Sequence, residues 1–246
     1  MTAGISDQAR HELPRSDDVA HPVRWMLYRF RWFGRWGIHR RYVVRQHGTE
    51  HVPRRGPVIM ASNHVGIMDG PLLAIFAPRP VHALTKSEMF EHAFLGRFLL
   101  LVGQIPLHRT FSDPTAVKIA LHVLRRGGAM GIYPEGARGS GELHRWHHGA
   151  AYFALVSGAP VVPVVMFGTR EPGGGASSLP DKGRQIDIVY GEPFRVDPVP
   201  WPRRREHVEQ VSKLLKEHMQ VHLDRAKALT GRSLPGPLPE PIEENE

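Results

Sequence analysis

Short apolar runs alternate with amphipathic stretches from Tyr42 onward, and this alternation predicts the fold. Six runs rich in valine and isoleucine are typical of buried strands: 41–46, 57–62, 80–84, 129–133, 160–166 and 185–190. Between and after them, apolar residues recur at helical spacing, which predicts helices over 70–77, 88–102, 114–126, 149–157 and 203–228. Apolar strands separated by helices indicate an α/β fold with a largely parallel central sheet flanked by helices.

A different pattern precedes the first strand. Residues 21–45 hold seven arginines, three of the chain's five tryptophans and no acidic residue. Three tryptophans share one arc of a helical wheel, with three arginines about a quarter turn away: Trp25, Trp32 and Trp36, and Arg24, Arg31 and Arg35. A basic helix with tryptophan on one flank predicts a membrane-interface helix over 21–40. The alternative is a surface helix whose aromatic side chains pack on the core.

Composition predicts the remaining organisation. Residues 1–20 are polar with mixed charge and are expected to be disordered, residues 41–230 form a single domain, and the proline-rich, then acidic stretch 231–246 is expected to be a disordered tail. Residues 1–20 lack the basic start and apolar middle of a signal peptide. No run approaches the roughly 18 apolar residues of a spanning helix.

Charge and residue usage limit the chemistry. The chain has 246 residues, of which 41% are hydrophobic, as in a globular protein. The absence of cysteine excludes disulfides, thiolate zinc sites and cysteine nucleophiles. The net charge of +8 favours a polyanionic partner, which can be a nucleic acid, an anionic membrane or a phosphorylated substrate.

The stretch SNHVGIMDG at 62–70 places a histidine and an aspartate just beyond a predicted buried strand. A carboxylate that fixes a histidine tautomer makes the imidazole an effective general base. His64 and Asp69 can therefore be a base and its orienting carboxylate, a pair of metal ligands, or loop residues, with Asp69 capping the next helix. The histidine cluster HRWHH at 144–148 has no neighbouring acid cluster, and we predict no metal site there.

Three further stretches carry candidate chemistry. In GIYPEGARGSGE at 131–142, Gly136 and Gly139 allow the backbone to approach a ligand, and the Arg138 guanidinium can pair with a phosphate. GQIPLHR at 103–109 ends an apolar segment with Arg109. APVVPVVMFG at 159–168 is a buried strand interrupted by prolines. Individually, each of these stretches is also typical of ordinary loops and core strands.

Taken together, the four segments resemble the conserved blocks of the glycerolipid acyltransferase family. NHVGIMD is similar to the family's NHxxxxD block, GQIPLHR to the block ending in arginine, YPEGARG to the FPEGTRS block, and APVVPV to the proline–valine block. The resemblance covers roughly residues 42–195 and keeps the family's order and spacing. The chain departs from the pattern in two places. Ala137 replaces the usual threonine, and WHH at 146–148 replaces the usual phenylalanine and basic residues.

The resemblance implies an O-acyltransferase that needs no cofactor. The donor would be acyl-CoA or acyl-carrier protein, and the expected acceptor is a lysophospholipid, 1-acyl-sn-glycerol-3-phosphate, with another polar lipid or glycolipid as the alternative. His64, Asp69 and Lys86 are the implied catalytic residues, Lys86 stabilising the oxyanion. The implied substrate-binding residues are Asn63, Arg109, Glu135, Gly136 and Arg138.

The same resemblance implies a place in the cell and weighs against two other functions. We expect a peripheral or monotopic protein at the cytoplasmic face of the membrane, in contact with an anionic surface. A basic nucleic-acid-binding domain explains the charge but not the NHxxxxD and YPEG blocks, and no readout helix is recognisable. A non-catalytic membrane adaptor is disfavoured by the intact pair of His64 and Asp69.

Overall fold

The computed structural model describes residues 22–23, 25–109 and 113–239, together with Val19. Within them, one seven-stranded sheet has the order β1-β7-β6-β2-β5-β3-β4. The strands are β1 Val43–His47, β2 Val58–Ser62, β3 Val81–Lys86, β4 Ile105–Leu107, β5 Ala129–Ile132, β6 Val161–Phe167 and β7 Gln185–Tyr190. Strands β2 to β6 run parallel, whereas β7 pairs antiparallel with β6, and β1 follows β7. The predicted α/β fold with a largely parallel sheet is confirmed.

Helices cover both faces of this sheet. They are α1 Trp25–His39, α2 Asp69–Phe76, α3 Ala93–Leu101, α4 Pro114–Arg125, α5 Gly149–Ser157 and α6 Arg205–Thr230, with short 3-10 turns at Thr49–His51 and Ser87–Phe90. Local sequence sets several ends. Asp113 accepts a hydrogen bond from the Ala116 amide at the start of α4, where proline occupies the first turn. Gly158 and Gly231 end α5 and α6 in the left-handed conformation.

Two hydrophobic clusters hold the layers together. Helices α4, α5 and α6 pack on one face of the sheet, and α2 packs on the other with part of α1. Every residue of β2 and of β6 is buried, because both strands are central and covered on each side. The edge strand β1, in contrast, contains exposed and half-buried residues and no fully buried one.

The structure differs from the predicted elements between residues 87 and 107. The predicted helix 88–102 is divided into a 3-10 turn and α3, which begins only at Ala93. Strand β4 was not predicted, since three residues that include Pro106 carry almost no periodic signal. It is an edge strand, paired only with β3, and an edge position tolerates the proline.

The amino-terminal helix α1 forms within the predicted range but uses its arginines differently from the prediction. Leu27 is buried, and Arg31 and Arg35 both donate to the carbonyl of Ile75. These guanidinium groups cap the carboxyl end of α2, where a positive charge is favourable. Arg31 and Arg35 therefore face the protein, whereas the predicted membrane-interface helix would direct them to an anionic surface. Arg24 lies outside the described residues.

Part of the predicted disordered tail is attached to the domain. Arg232 Nε lies 3.3 Å from Asp187 Oδ2, Leu234 packs against the core, and the Gly236 carbonyl accepts a hydrogen bond from Arg170 at 2.6 Å. Residues 232–236 therefore make defined contacts with the domain, within the stretch predicted to be a disordered tail. The predicted disorder of 1–20 and of 240–246 concerns residues outside the described ranges, apart from Val19.

Candidate active site

The candidate residues gather at one edge of the sheet. His64 follows β2, Lys86 ends β3, Arg109 follows β4, Glu135 follows β5 and Arg170 follows β6. These five strands are parallel, so their carboxyl ends meet at the same edge. Loops at that edge are the usual ligand-binding position of an open α/β sheet. The topology therefore brings together residues that are far apart in sequence.

The centre of this edge is the pair of His64 and Asp69. Asp69 is fully buried, and its Oδ2 lies 2.8 Å from His64 Nδ1. The same oxygen accepts hydrogen bonds from the backbone amides of Val65 at 2.7 Å and Gly66 at 2.9 Å. The loop alternative predicted that Asp69 caps α2. The Asp69 side chain makes no capping hydrogen bond to α2, and its carboxylate turns back to the preceding loop. With Nδ1 bound to a carboxylate, Nε2 is the ring nitrogen left for a substrate.

The imidazole of His64 is also held through its ring and its backbone. The ring stacks on Tyr133, with 4.2 Å between centroids, and the side chain keeps 20% of its surface exposed. The His64 amide donates to Glu135 Oε1 at 2.9 Å, and its carbonyl accepts from the Gly139 amide at 2.9 Å. The loop that follows β5 thus fixes the histidine at both ends of its residue.

Glu135, predicted to bind the acceptor, lies in this loop and contacts the backbone of His64. The residue is 4% exposed, and the carboxylate accepts from the His64 amide. Burial raises the pKa of Glu135 to about 7, an effect that the His64 hydrogen bond opposes and the negative charge of Asp69 reinforces. Glu135 therefore supports the loop that carries His64, and the substrate contact predicted for it stays a prediction.

Asn63 is likewise bonded to backbone groups of another segment. It is fully buried, its Oδ1 accepts from the Met166 amide at 2.8 Å, and its Nδ2 donates to the Met166 carbonyl at 3.2 Å. These two bonds join the ends of β2 and β6. Asn63 therefore has a structural partner at both amide atoms, and the substrate-binding role predicted for it stays a prediction.

Two arginines and a glycine form a basic rim beside this pair. Arg109 donates to the Gly136 carbonyl at 2.6 Å. Gly136 has φ +73° and a Cβ there would lie 2.6 Å from His147 Nε2, so a larger residue does not fit. Arg138 donates to the Ala176 carbonyl at 2.8 Å. Burial and the nearby Arg109 charge lower the pKa of Arg138, and the Asp69 charge opposes them.

Lys86 lies at the same edge, but its ammonium group pairs with Glu88 at 2.9 Å. The pairing lowers the pKa of Glu88 to about 2. Both side chains are more than two-fifths exposed, so the pair can open at little cost.

Two side chains of HRWHH, those of Trp146 and His148, share one partner on α6. His148 Nδ1 lies 2.9 Å from Ser212 Oγ, and Trp146 Nε1 donates to the same hydroxyl at 2.8 Å, which attaches this loop to α6. Among the residues that the structure describes, no group of three or more histidines and acids is arranged to hold a metal ion.

Arg170 is a residue of this edge that the sequence reasoning missed. It lies three positions beyond the end of β6, where the matched proline–valine block has already ended. The side chain is 1% exposed, and its Nε donates to the Val65 carbonyl at 2.8 Å. A charged residue three positions beyond a buried parallel strand was the available signal for its place at this edge, whereas its partners gave no local signal.

Comparison with known proteins identifies what this arrangement is similar to. A family model described as Acyltransferase matches residues 43–167. A 1-acyl-sn-glycerol-3-phosphate acyltransferase of Bacillus subtilis is 29% identical over 61% of this chain and 73% of its own length. One of Borreliella burgdorferi is 31% identical over half of each chain.

Two further relatives extend the comparison. A lyso-ornithine lipid O-acyltransferase of Pseudomonas aeruginosa is 32% identical over 66% of this chain and 60% of its own. The crystal structure of the 1-acyl-sn-glycerophosphate acyltransferase PlsC of Thermotoga maritima superposes with a TM-score of 0.60 at 22% identity, covering 82% of this chain and 80% of that one. This last likeness shows a shared fold.

Proposed function

The chain belongs to the acyltransferase family, and from that premise we propose that it transfers a fatty acyl chain from a thioester donor to the free hydroxyl of 1-acyl-sn-glycerol-3-phosphate, giving phosphatidic acid. One observation carries the proposal: the 2.8 Å contact between His64 Nδ1 and the buried carboxylate of Asp69, at the ligand-binding edge of the sheet. The donor would be acyl-CoA or acyl-carrier protein.

In the proposed reaction, Nε2 of His64 takes the proton of the acceptor hydroxyl as its oxygen attacks the thioester carbonyl. The tetrahedral oxyanion then collapses, the C–S bond breaks, and the imidazolium returns the proton to the leaving thiolate. Asp69 holds the tautomer that leaves Nε2 unprotonated and stabilises the imidazolium. A base of this kind contributes on the order of 10²- to 10⁴-fold to the rate.

The basic rim of Arg109 and Arg138 is the proposed site of the acceptor phosphate. Two like charges lie close enough for Arg109 to lower the pKa of Arg138, an arrangement that a phosphate dianion would stabilise. Each guanidinium now donates to a backbone carbonyl. Gly136 would let the phosphate approach the backbone beside Arg109.

Lys86 is the proposed oxyanion donor. It lies at the carboxyl end of β3, the strand next to β5, and an oxyanion is a stronger partner for its ammonium in a closed site than an exposed Glu88 carboxylate. Release of Glu88 on substrate binding is part of this proposal.

The acceptor has one specific alternative, a lysolipid without a phosphate. The lyso-ornithine lipid O-acyltransferase is 32% identical over 66% of this chain. Ala137 stands where a threonine is usual, and histidines stand at 147 and 148 where basic residues are usual, so the acceptor side departs from the family pattern. The base chemistry is the same for either acceptor.

We also propose that the protein works on an anionic membrane surface at the cytoplasmic face. Helix α1 exposes Trp25, Trp32 and Trp36 by 59%, 69% and 52%. Exposed tryptophans on one helix are typical of an interfacial anchor. No helix of the described residues is both long enough and apolar enough to cross a bilayer.

A second exposed apolar surface lies on helix α3. Helix α3 buries only Gly96 and exposes Phe94 by 89% and Phe98 by 50%. Helix α3 lies in the chain between Lys86 and Arg109. A Cβ at Gly103 would lie 2.4 Å from the Val23 carbonyl, so the segment before α1 passes close to the carboxyl end of α3. Insertion of α1 and α3 into one leaflet would bring the site to its lipid substrates.

The experiment that tests the proposed function is an acceptor panel. Purified protein is incubated with acyl-CoA or acyl-carrier protein and, separately, with lysophosphatidic acid, lysophosphatidylcholine, lyso-ornithine lipid or a lysoglycolipid, and the products are identified by mass. The proposal predicts phosphatidic acid as the main product. A main product from an acceptor without a phosphate monoester would overturn the acceptor, and no acylated product with any pair would overturn the function.

A further inference from the structure

Arg170 carries a buried positive charge, and among the described residues its hydrogen bonds all end on backbone carbonyls. Four hydrogen bonds from its guanidinium end on carbonyl oxygens: Val65 at 2.8 Å, Gly174 at 2.8 Å, Gly139 at 3.0 Å and Gly236 at 2.6 Å. An unsatisfied buried cation is strongly unfavourable, so the geometry of these acceptors is tightly constrained. Only an arginine presents donors in such a fork.

One of the four bonds leads directly to the catalytic pair. The Val65 carbonyl and the Gly66 amide belong to the same peptide group. Its oxygen accepts from Arg170 at 2.8 Å and its N–H donates to Asp69 Oδ2 at 2.9 Å. Asp69 Oδ2 in turn holds His64 Nδ1 at 2.8 Å. Hydrogen bonds arranged in series polarise and strengthen one another, so Arg170 fixes the peptide that fixes the base.

The Gly236 bond leads to the other end of the chain. We define residues 232–236 as the C-terminal strap. Arg232 ties the strap to Asp187 at 3.3 Å, and a Leu234 methyl lies 3.4 Å from the position of a Cβ on Gly141. The same Cβ position is 2.3 Å from Val65. The strap therefore packs over the loop that contacts the catalytic segment.

We propose that Arg170 is a positioning residue for His64 and that the C-terminal strap is a structural part of the active site, joined to the catalytic loop through this guanidinium. The inference rests on the proposed function, because it takes His64 as the base. Arg170 does not touch substrate; it acts by holding the peptide between Val65 and Gly66.

Two truncated chains test the strap. A chain ending at Gly231 lacks it, and a chain ending at Pro239 keeps it and serves as the matched control. We expect kcat to be roughly tenfold lower for the first with KM unchanged, since misplacement of a base by about 1 Å costs up to 10²-fold. The control should stay within about twofold of the full chain.

Two substitutions test the guanidinium. Arg170→Lys keeps the charge without the fork and should lower kcat less than Arg170→Met, which removes both. Truncation at Gly231 should add little to Arg170→Met, because the two changes break the same connection. All rates are compared below the unfolding temperature of the weakest variant. A lower unfolding temperature with an unchanged kcat would reduce the role to stability and overturn the proposal.

Hydrogen exchange of the Val65 and Gly66 amides provides a readout that needs no substrate. Truncation at Gly231 should speed their exchange roughly tenfold relative to truncation at Pro239, because the loop opens more readily. Unchanged exchange would overturn the link between strap and loop, even if Arg170→Met fails to fold. Faster exchange in a protein that acylates none of the acceptors would leave the link intact and refute the proposed function alone.

Discussion

Replacing Asp69 by asparagine separates the charge of this residue from its shape. The Val65 and Gly66 amides both donate to Oδ2, at 2.7 and 2.9 Å. In the variant they would hold the amide oxygen of the asparagine at this position, because its NH₂ group cannot accept. His64 Nδ1–H then keeps its acceptor and its tautomer. The variant therefore loses mainly the negative charge that stabilises the imidazolium.

The size of the loss follows from this geometry. A hydrogen bond to a charged group contributes about 1.5–3 kcal/mol and a neutral one about 1 kcal/mol. The difference of about 0.5–2 kcal/mol corresponds to roughly 2- to 30-fold in kcat. Asp69→Ala, in contrast, leaves two amides and the imidazole without their acceptor, so we expect a loss beyond about 10²-fold.

The assay measures thiol release and product mass under saturating donor and acceptor, with circular dichroism as the control for folding. Asp69→Asn should fall between the wild type and Asp69→Ala. Activity within twofold of wild type would show that the charge has no role. A loss as large as that of Asp69→Ala would refute the argument that the two amides preserve the histidine tautomer.

Three further perturbations test separate parts of the account. Arg138→Ala should raise KM for lysophosphatidic acid about tenfold or more with little effect on the donor; an equal effect on an acceptor without phosphate would contradict the phosphate site. Glu135 has its folded pKa raised to about 7, so the stability it provides is complete below its unfolded pKa near 4.5 and is lost as pH rises through about 7. In denaturant unfolding, the free energy of unfolding of Glu135→Gln should therefore rise relative to that of the wild type between these pH values, by up to about 3 kcal/mol. Parallel pH profiles of the two proteins would refute the raised pKa of Glu135. Replacing Trp32 and Trp36 by serine should reduce sedimentation with anionic liposomes and leave activity on detergent-dispersed substrate unchanged. The control Trp201→Ser, at a position of similar exposure, should not reduce sedimentation. Equal sedimentation of the two variants would place the membrane contact elsewhere, with α3 the next candidate.

Sequence alone predicted the layers of the fold because parallel strands buried on both faces appear as continuous apolar runs. The runs that became β2 and β6 are of this kind, and their ends were predicted to within a residue. Strand direction at one side of the sheet was not visible, since β1 and β7 have the same composition whichever way they run. The edge strand β4 could not be predicted from the sequence because it is short and contains Pro106.

Within the site, the sequence identified which residues gather but not which way they face. His64 and Asp69 are five positions apart, on either side of the short turn between β2 and α2, so their contact could be inferred from local spacing. Glu135 and Asn63 are polar residues beside the same cleft, yet each turns inward to satisfy a backbone group of another segment. Arg170 connects four segments that are distant in the chain, and such long-range contacts leave no local pattern.

The most direct test of the central claim is the turnover of His64→Ala with acyl-CoA and lysophosphatidic acid, followed by the mass of the phosphatidic acid formed. Alanine removes the imidazole while Asp69 keeps the Val65 and Gly66 amides that shape the loop. If His64 is the general base, turnover falls by at least about 10²-fold while the fold and donor binding are retained. Turnover above about a tenth of the wild-type value, far short of a general base's contribution, would contradict the account.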